Sequence, residues 1–209
     1  METMKQLGKF GKLTPATAEA FQGWNAVAFK DGALSHKTKE LMAIACAATT
    51  GCDYCLDVHS KSAKRAGATE AEVAEALMIA TAGKAGAAFA HAANAFQSFN
   101  DAEDDELFKK SYLSHVPGLK ELAPDDFGAF FNFTMKATAK GELDVKEKEL
   151  ISTAVALITG CPYCIDSHVK NAKKAGATKE ELAETVFIAS ALNAGSAFTK
   201  SVTPLKTFD

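Results

Sequence analysis

Four cysteines of this chain stand in two Cys-x-x-Cys pairs, and both pairs keep the same company. Glu40 precedes Cys52-Asp53-Tyr54-Cys55 by eleven intervening residues, and His59 follows after three. Glu149, Cys161-Pro162-Tyr163-Cys164 and His168 repeat that spacing 109 positions later. Cysteines three apart at a helix start can close a disulfide with modest backbone adjustment. On a helix, Cys52, Cys55 and His59 fall at about 0, 300 and 700 degrees, so they share one stripe. A helix N-terminus offers unpaired N–H groups and a partial positive charge, which lower a thiol pKa from its free value of roughly 8.5. The thiolate so favoured is the nucleophile. If the chain folds back at Thr50-Gly51, Glu40 comes level with His59 and can orient or charge it. His59 can then carry a proton for the thiol one turn away. The candidate catalytic residues are therefore Glu40, Cys52, Cys55 and His59, and equally Glu149, Cys161, Cys164 and His168. Tyr54 and Tyr163 stand between the cysteines and read equally as packing or as site-shaping residues.

The elements that must position these groups are repeated too. Residues 35–92 align without a gap on 144–201 with 30 identities in 58 positions, so the chain carries an internal duplication. The offset persists upstream in Leu13/Leu122, Pro15/Pro124, Phe21/Phe130, Gly32/Gly141 and Leu34/Leu143. The sequence divides into a first repeat over 1–100, an acidic linker over 101–110 and a second repeat over 111–209. Thr14-Pro15 reads as a helix start that opens an amphipathic run with Phe21, Trp24 and Val27. Ser35 and Asp144 can cap the helix that carries each glutamate. The run Leu150–Ile158 is β-branched enough to pass for a strand, but its alanine-rich copy Leu41–Ala48 decides for helix. The cysteines open a third helix that ends at Gly67 or Gly176 after a basic turn. Capping boxes at Thr69–Glu72 and Thr178–Glu181 open a fourth, whose Ala82, Gly86 and Ala88 suggest close helix contact. Hairpin signals are missing, and the predicted fold is all-α, two similar helical units.

Composition bounds the function. Of 209 residues, 47% are hydrophobic and 23% charged, the balance of a globular protein with a core of its own. A net charge of −3 argues against nucleic acid as a partner. No apolar run reaches about 18 residues, and Met1-Glu2-Thr3-Met4-Lys5 lacks a secretory apolar region. The expectation is a cytoplasmic protein with no membrane partner, where disulfides are transient and catalytic. Cys46, the fifth cysteine, aligns with Val155 and reads as a buried small hydrophobe.

In these residues the chain resembles the alkyl hydroperoxidase D-like (AhpD-like) branch of the carboxymuconolactone decarboxylase superfamily. The pattern Glu, eleven residues, Cys-x-x-Cys, three residues, His matches in both copies, within a duplication spanning roughly 13–92 and 122–201. The resemblance implies an AhpD-like helical bundle and a peroxidase that reduces hydroperoxides through its dithiols. It implies that Cys55 and Cys164 attack the peroxide oxygen and become sulfenic acids. Cys52 and Cys161 then resolve these to disulfides, with the glutamate and histidine as proton relay. Tyr54 and Tyr163 depart from the pattern, because the characterised hydroperoxidase has a second relay histidine directly before its nucleophile. No haem, flavin or nucleotide motif appears, so no cofactor is expected beyond the redox-active pairs. Turnover then needs an external reductant, a thioredoxin-like or lipoyl-bearing protein. The family's trimers and hexamers imply a homotrimer of this two-copy chain, with six sites in a pseudo-hexamer.

Other readings compete at each position. Each Cys, Cys, His, Glu set could hold zinc as a sensor scaffold, although one helical stripe poorly approximates a tetrahedron. Glu and His could also act as base on a lactone or other carbon acid, with the cysteines secondary. Glu40 and Glu149 could be solvated residues beside Lys37 and Lys39, or Lys146 and Lys148. Asp57 and Asp166 lie off the stripe and fit pairs with Lys61 and Lys170. His36, His91 and His115 have no counterpart in the other copy and read as incidental. Phe127–Phe133 reads as core or subunit interface. Pro162 against Asp53 could give the two sites different reduction potentials.

Overall fold

The displacement of 109 holds for whole helices. The computed structural model describes residues 2–92 and 108–207, and these are helical throughout, joined by turns and short loops. The first repeat runs α1 (Glu2–Gly8), α2 (Phe10–Leu13), α3 (Pro15–Ala28), α4 (His36–Thr50), α5 (Asp53–Arg65) and α6 (Glu70–Ala90). After a 3₁₀ turn at Lys110–His115, the second runs α7 (Gly118–Leu122), α8 (Pro124–Thr138), α9 (Val145–Thr159), α10 (Pro162–Lys174), α11 (Lys179–Lys200) and α12 (Val202–Lys206). Of the acidic linker, residues 101–107 lie outside the described residues. All-α architecture with an internal duplication is therefore what the described residues form.

The helix ends follow from local chemistry. Ser35 accepts the Thr38 N–H at the start of α4, and Asp144 accepts the Glu147 N–H at the start of α9. Capping boxes at Thr69 and Thr178 open α6 and α11, each satisfying otherwise orphaned N–H groups. Thr14 behaves differently from expectation. Its hydroxyl donates back to the Phe10 carbonyl rather than capping α3, and Pro15 at the first turn starts that helix. Gly51 and Gly160 end α4 and α9 with φ of 66° and 69°, a left-handed conformation that costs glycine little. That reversal turns α5 and α10 back along α4 and α9.

The two repeats share one core. α4 and α9 lie side by side at its centre, with Leu41–Ala47 and Leu150–Ala156 buried along almost their whole length. α4 packs on α5 and α6 of its own repeat and on α9 and α11 of the other, and α9 does the reverse. Close approach of α6 to α9 is set by Gly83, where a Cβ would crowd Val155. Gly86 and Val27 depart from expectation: Gly86 faces open space and Val27 is exposed. By length and composition α6 could cross a membrane.

Two reciprocal ionic straps tie the halves together. Buried Lys39 meets Glu184 at 3.0 Å, and buried Lys148 meets Glu75 at 3.1 Å. Each carboxylate also accepts two backbone N–H groups, from Ala33 and Leu34 or from Glu142 and Leu143. The recurrence of Gly32 and Gly141 follows from this, since a Cβ on either would overlap the carboxylate oxygen it cradles. Burial raises the carboxyl pKa of Glu75 and Glu184. The N–H donors and the lysine outweigh it, leaving both groups below the ordinary glutamate value.

Candidate functional site

Each cysteine pair sits where the chain re-enters a helix. Cys52 caps α5 and its sulfur accepts the Cys55 N–H at 3.2 Å. Cys161 does the same for α10, accepting from Cys164 at 3.3 Å. Both pairs are disulfide-bonded, with Cα atoms 5.2 and 5.3 Å apart. Cys52, Cys55 and Cys161 are buried, while Cys164 is partly exposed.

The fold-back brings each carboxylate to its imidazole. Glu40 Oε2 lies 2.8 Å from His59 Nδ1, and Glu149 Oε2 lies 2.7 Å from His168 Nδ1. A carboxylate only accepts, so Nδ1–H donates and Nε2 is left to exchange a proton. Neither glutamate is a solvated surface group, because the Glu40 and Glu149 side chains are 4% and 8% exposed. The neighbouring lysines are engaged elsewhere: Lys37 with Glu72 and Lys146 with Glu181, beside the straps of Lys39 and Lys148. Asp57 and Asp166 pair with Lys61 and Lys170, as their spacing suggests, and Asp166 also meets Lys110. Among the described residues no three His, Cys, Asp or Glu side chains converge on a position that could hold a metal. The zinc reading lacks that geometry.

Each site opens into a cavity. At the first, about 320 Å³ is bounded by Cys55, His59 and Tyr54 together with Phe21, Phe198 and Thr199. At the second, about 330 Å³ is bounded by Cys164, His168 and Tyr163 with Phe89, Phe130 and Phe131. The phenylalanine-rich run of α8 thus lines the second site, and its rings cluster with Phe89 rather than entering the buried core. The long helix of the opposite repeat supplies one wall each time, α11 at the first site and α6 at the second. Tyr54 donates to Met4 Sδ at 2.7 Å and Tyr163 to the Lys109 carbonyl at 3.1 Å. Burial pushes the Tyr163 hydroxyl pKa up, which keeps it a donor. Cys46 is fully buried, and burial pushes its thiol to about 12, so it is inert as the sequence suggested.

Three residues at the first site were not anticipated. Thr199 Oγ1 stands 3.2 Å from Cys52 Sγ and 4.0 Å from Cys55 Sγ. The Phe29 ring stacks on His59 at 5.1 Å. His36 is not incidental: its Nε2 lies 3.5 Å from Glu40 Oε1 and its Nδ1 is 2.8 Å from the Phe29 carbonyl. The only signal for His36 was its position one helical turn before Glu40. Thr199 and Phe29 align with Ala90 and Thr138, so searching for residues common to both copies passes over all three. His91 packs against Phe108 and Tyr163, and His115 is exposed at the end of the 3₁₀ turn.

The chain matches the model of the carboxymuconolactone decarboxylase family twice, over residues 15–98 and 124–207. An uncharacterised protein of the cox locus of Paracoccus denitrificans is 38% identical over 97 residues, which are 46% of this chain and 87% of that protein. That relative is therefore about one repeat long. The alkyl hydroperoxide reductase AhpD of Coxiella burnetii is 40% identical over 62 residues, 30% of this chain and 35% of its own length. The crystal structure of a protein described as a gamma-carboxymuconolactone decarboxylase subunit from Burkholderia xenovorans superposes with a TM-score of 0.69. It covers 95% of this chain and 90% of its own, at 20% identity, and so speaks for the fold alone.

Proposed function

The chain belongs to the carboxymuconolactone decarboxylase family, and from that premise we propose that it is a thiol-dependent peroxidase of the AhpD-like kind with two dithiol sites per chain. One observation carries the reading: a bonded Cys-x-x-Cys pair at a helix start, beside a histidine held by a buried glutamate, occurs twice with a cavity of about 320 or 330 Å³ over it. In the reduced site, His59 Nε2 takes the proton of Cys55, and the helix N-terminus stabilises the thiolate. The thiolate attacks the distal oxygen of a hydroperoxide, the O–O bond breaks, and the alcohol leaves with a proton. Cys52 then attacks the sulfenic acid, releasing water and closing the disulfide. Cys164, Cys161 and His168 do the same in the second site. Glu40 and Glu149 fix the tautomer of their histidines and stabilise the imidazolium.

The cycle ends when an external dithiol, a thioredoxin-like or lipoyl-bearing protein, reduces each bridge. Self-association into a homotrimer belongs to the same proposal. Exposed apolar side chains recur at equivalent places in both repeats, Leu13 with Leu122 and Met78 with Phe187. Light scattering at a monomer mass would remove the trimer.

The test is a free-thiol count on reduced protein before and after one equivalent of cumene hydroperoxide per site. Loss of four thiols as Cys52–Cys55 and Cys161–Cys164 bridges is expected, and Cys55→Ser with Cys164→Ser should abolish consumption of the peroxide. Unchanged thiols in folded protein would overturn the reading and bring base catalysis by the Glu–His couples on a lactone or carbon acid to the front.

A further inference from the structure

The two sites do not share the same proton path. We propose that His36 is a second proton carrier of the first site, joining the His59–Glu40 couple to solvent, and that the second site has no such path. The inference rests on the thiol reading above and concerns how protons reach that site. Glu40 is buried between two imidazoles. His59 Nδ1 bonds one carboxylate oxygen at 2.8 Å and His36 Nε2 faces the other at 3.5 Å. A carbonyl oxygen only accepts, so the contact with the Phe29 carbonyl at 2.8 Å makes His36 Nδ1 a donor. In that tautomer Nε2 meets the carboxylate favourably only when it carries a proton. The side chain of His36 is 38% exposed against 18% for His59, so its proton can exchange with water. A proton leaving Cys55 can pass to His59 Nε2 and from His59 Nδ1 to Glu40 Oε2; once His36 has given its Nε2 proton to water, the Glu40 carboxyl turns and passes its own proton to that nitrogen. The reverse route delivers one to a departing thiolate.

The surroundings leave this path its own charges. Asp31 is occupied with the backbone N–H of His36. On α4, Lys37 and Lys39 are turned to Glu72 and Glu184. On α5, Asp57 and Lys61 pair with each other at the surface, and α11 brings the hydroxyl of Thr199 and no charge to the sulfurs. In the second site Val145 holds the position of His36. The other oxygen of Glu149 accepts from the amide of Asn171 at 3.5 Å, a group that cannot carry a proton at neutral pH.

Each site is isolated by replacing both cysteines of the other with serine, and the reduction of the remaining bridge by dithiothreitol is followed from pH 5.5 to 8. In this step a dithiothreitol thiolate attacks the bridge, the S–S bond breaks, and the departing cysteine sulfur takes up a proton as its negative charge develops. Both electrons come from dithiothreitol, which ends as its cyclic disulfide. No peroxide is involved, so the relay is read even if the peroxidase reading fails. His36→Val should slow the first site by roughly ten- to a hundredfold and remove one ionisation from its pH profile. His36→Gln, which keeps the bond to the Phe29 carbonyl, should be as slow, with added imidazole restoring the rate. Val145→His should add an ionisation to the second site. A His36→Gln variant with the parent rate and profile would reduce His36 to a structural role and overturn the proposal. So would a Val145→His variant of unchanged profile.

Discussion

At the scale of single residues, the sulfurs of the first site have the Thr199 hydroxyl beside them, and at the second the equivalent position is Ala90, with no hydroxyl bonded to a sulfur among the described residues. Thr199 Oγ1 is bonded within its helix to the Ser196 carbonyl and stands 3.2 Å from Cys52 Sγ. When the bridge is reduced, turning that hydroxyl toward a thiolate creates a charge-assisted bond, which contributes about 1.5–3 kcal/mol. Thr199→Ala should therefore raise the thiol pKa of the first site and slow its alkylation by iodoacetamide at pH 7 by about tenfold, since one pKa unit is a factor of ten in thiolate. The second site should be untouched, and Ala90→Thr should quicken it. Equal alkylation of wild type and Thr199→Ala would show that the contact has no energetic weight. The eight residues of the two Glu, Cys-x-x-Cys, His sets were legible in the sequence because both copies repeat them at one spacing. His36, Phe29 and Thr199 were not, because each occurs in one copy only. Phe29 acts through a backbone carbonyl and a ring stack that spacing cannot report.

At the scale of elements, local chemistry announced most of the helices. Capping boxes, left-handed glycines and the alanine-rich copy of a β-branched run were sufficient, and the tertiary contacts agreed with them. What stayed hidden was pairing between elements far apart in sequence, the straps of Lys39 with Glu184 and Lys148 with Glu75. A lysine one residue before Glu40 or Glu149 looks like a solvated charge until α11 or α6 of the other repeat is laid against it. The carboxyls of Glu75 and Glu184 lie below the ordinary value of 4.5 in the folded state. A depressed carboxyl contributes stability in full above its unfolded value and loses it as pH falls through the lower folded value. Acid unfolding should thus steepen below about pH 4.5 in the wild type and flatten there in Glu75→Gln/Glu184→Gln. At pH 7 each single replacement leaves a buried lysine without its counter-charge and should cost ~2–3 kcal/mol, read as a lower urea midpoint. Unaltered acid unfolding in the double variant would show that the straps contribute nothing electrostatic.

At the scale of the whole molecule, the duplication fills a single core rather than two. α4 and α9 bury each other, and each cavity borrows a wall from the opposite repeat. Neither half can therefore complete its core or its site alone. Residues 1–100 by themselves would expose the faces of α4 and α6 that α9 and α11 cover. Those faces are close copies of what they face: Lys39 and Glu75 are to the first repeat what Lys148 and Glu184 are to the second. Two such fragments can then rebuild the missing contacts about a true twofold axis, with Lys39 of one meeting Glu75 of the other in both directions. Position 46, cysteine where the second repeat has Val155, changes the centre of the core by little, since both are small and buried. The fragment should sediment as a helical dimer that unfolds at a lower urea midpoint as it is diluted, because folding and association are then one equilibrium. Glu75→Gln should weaken that dimer through both straps at once. A helical, cooperatively unfolding monomer would show that each repeat closes its own core and that the shared core is a contact between finished units. A dimer that dissociates into unfolded chains would tie both sites to one cooperative unit.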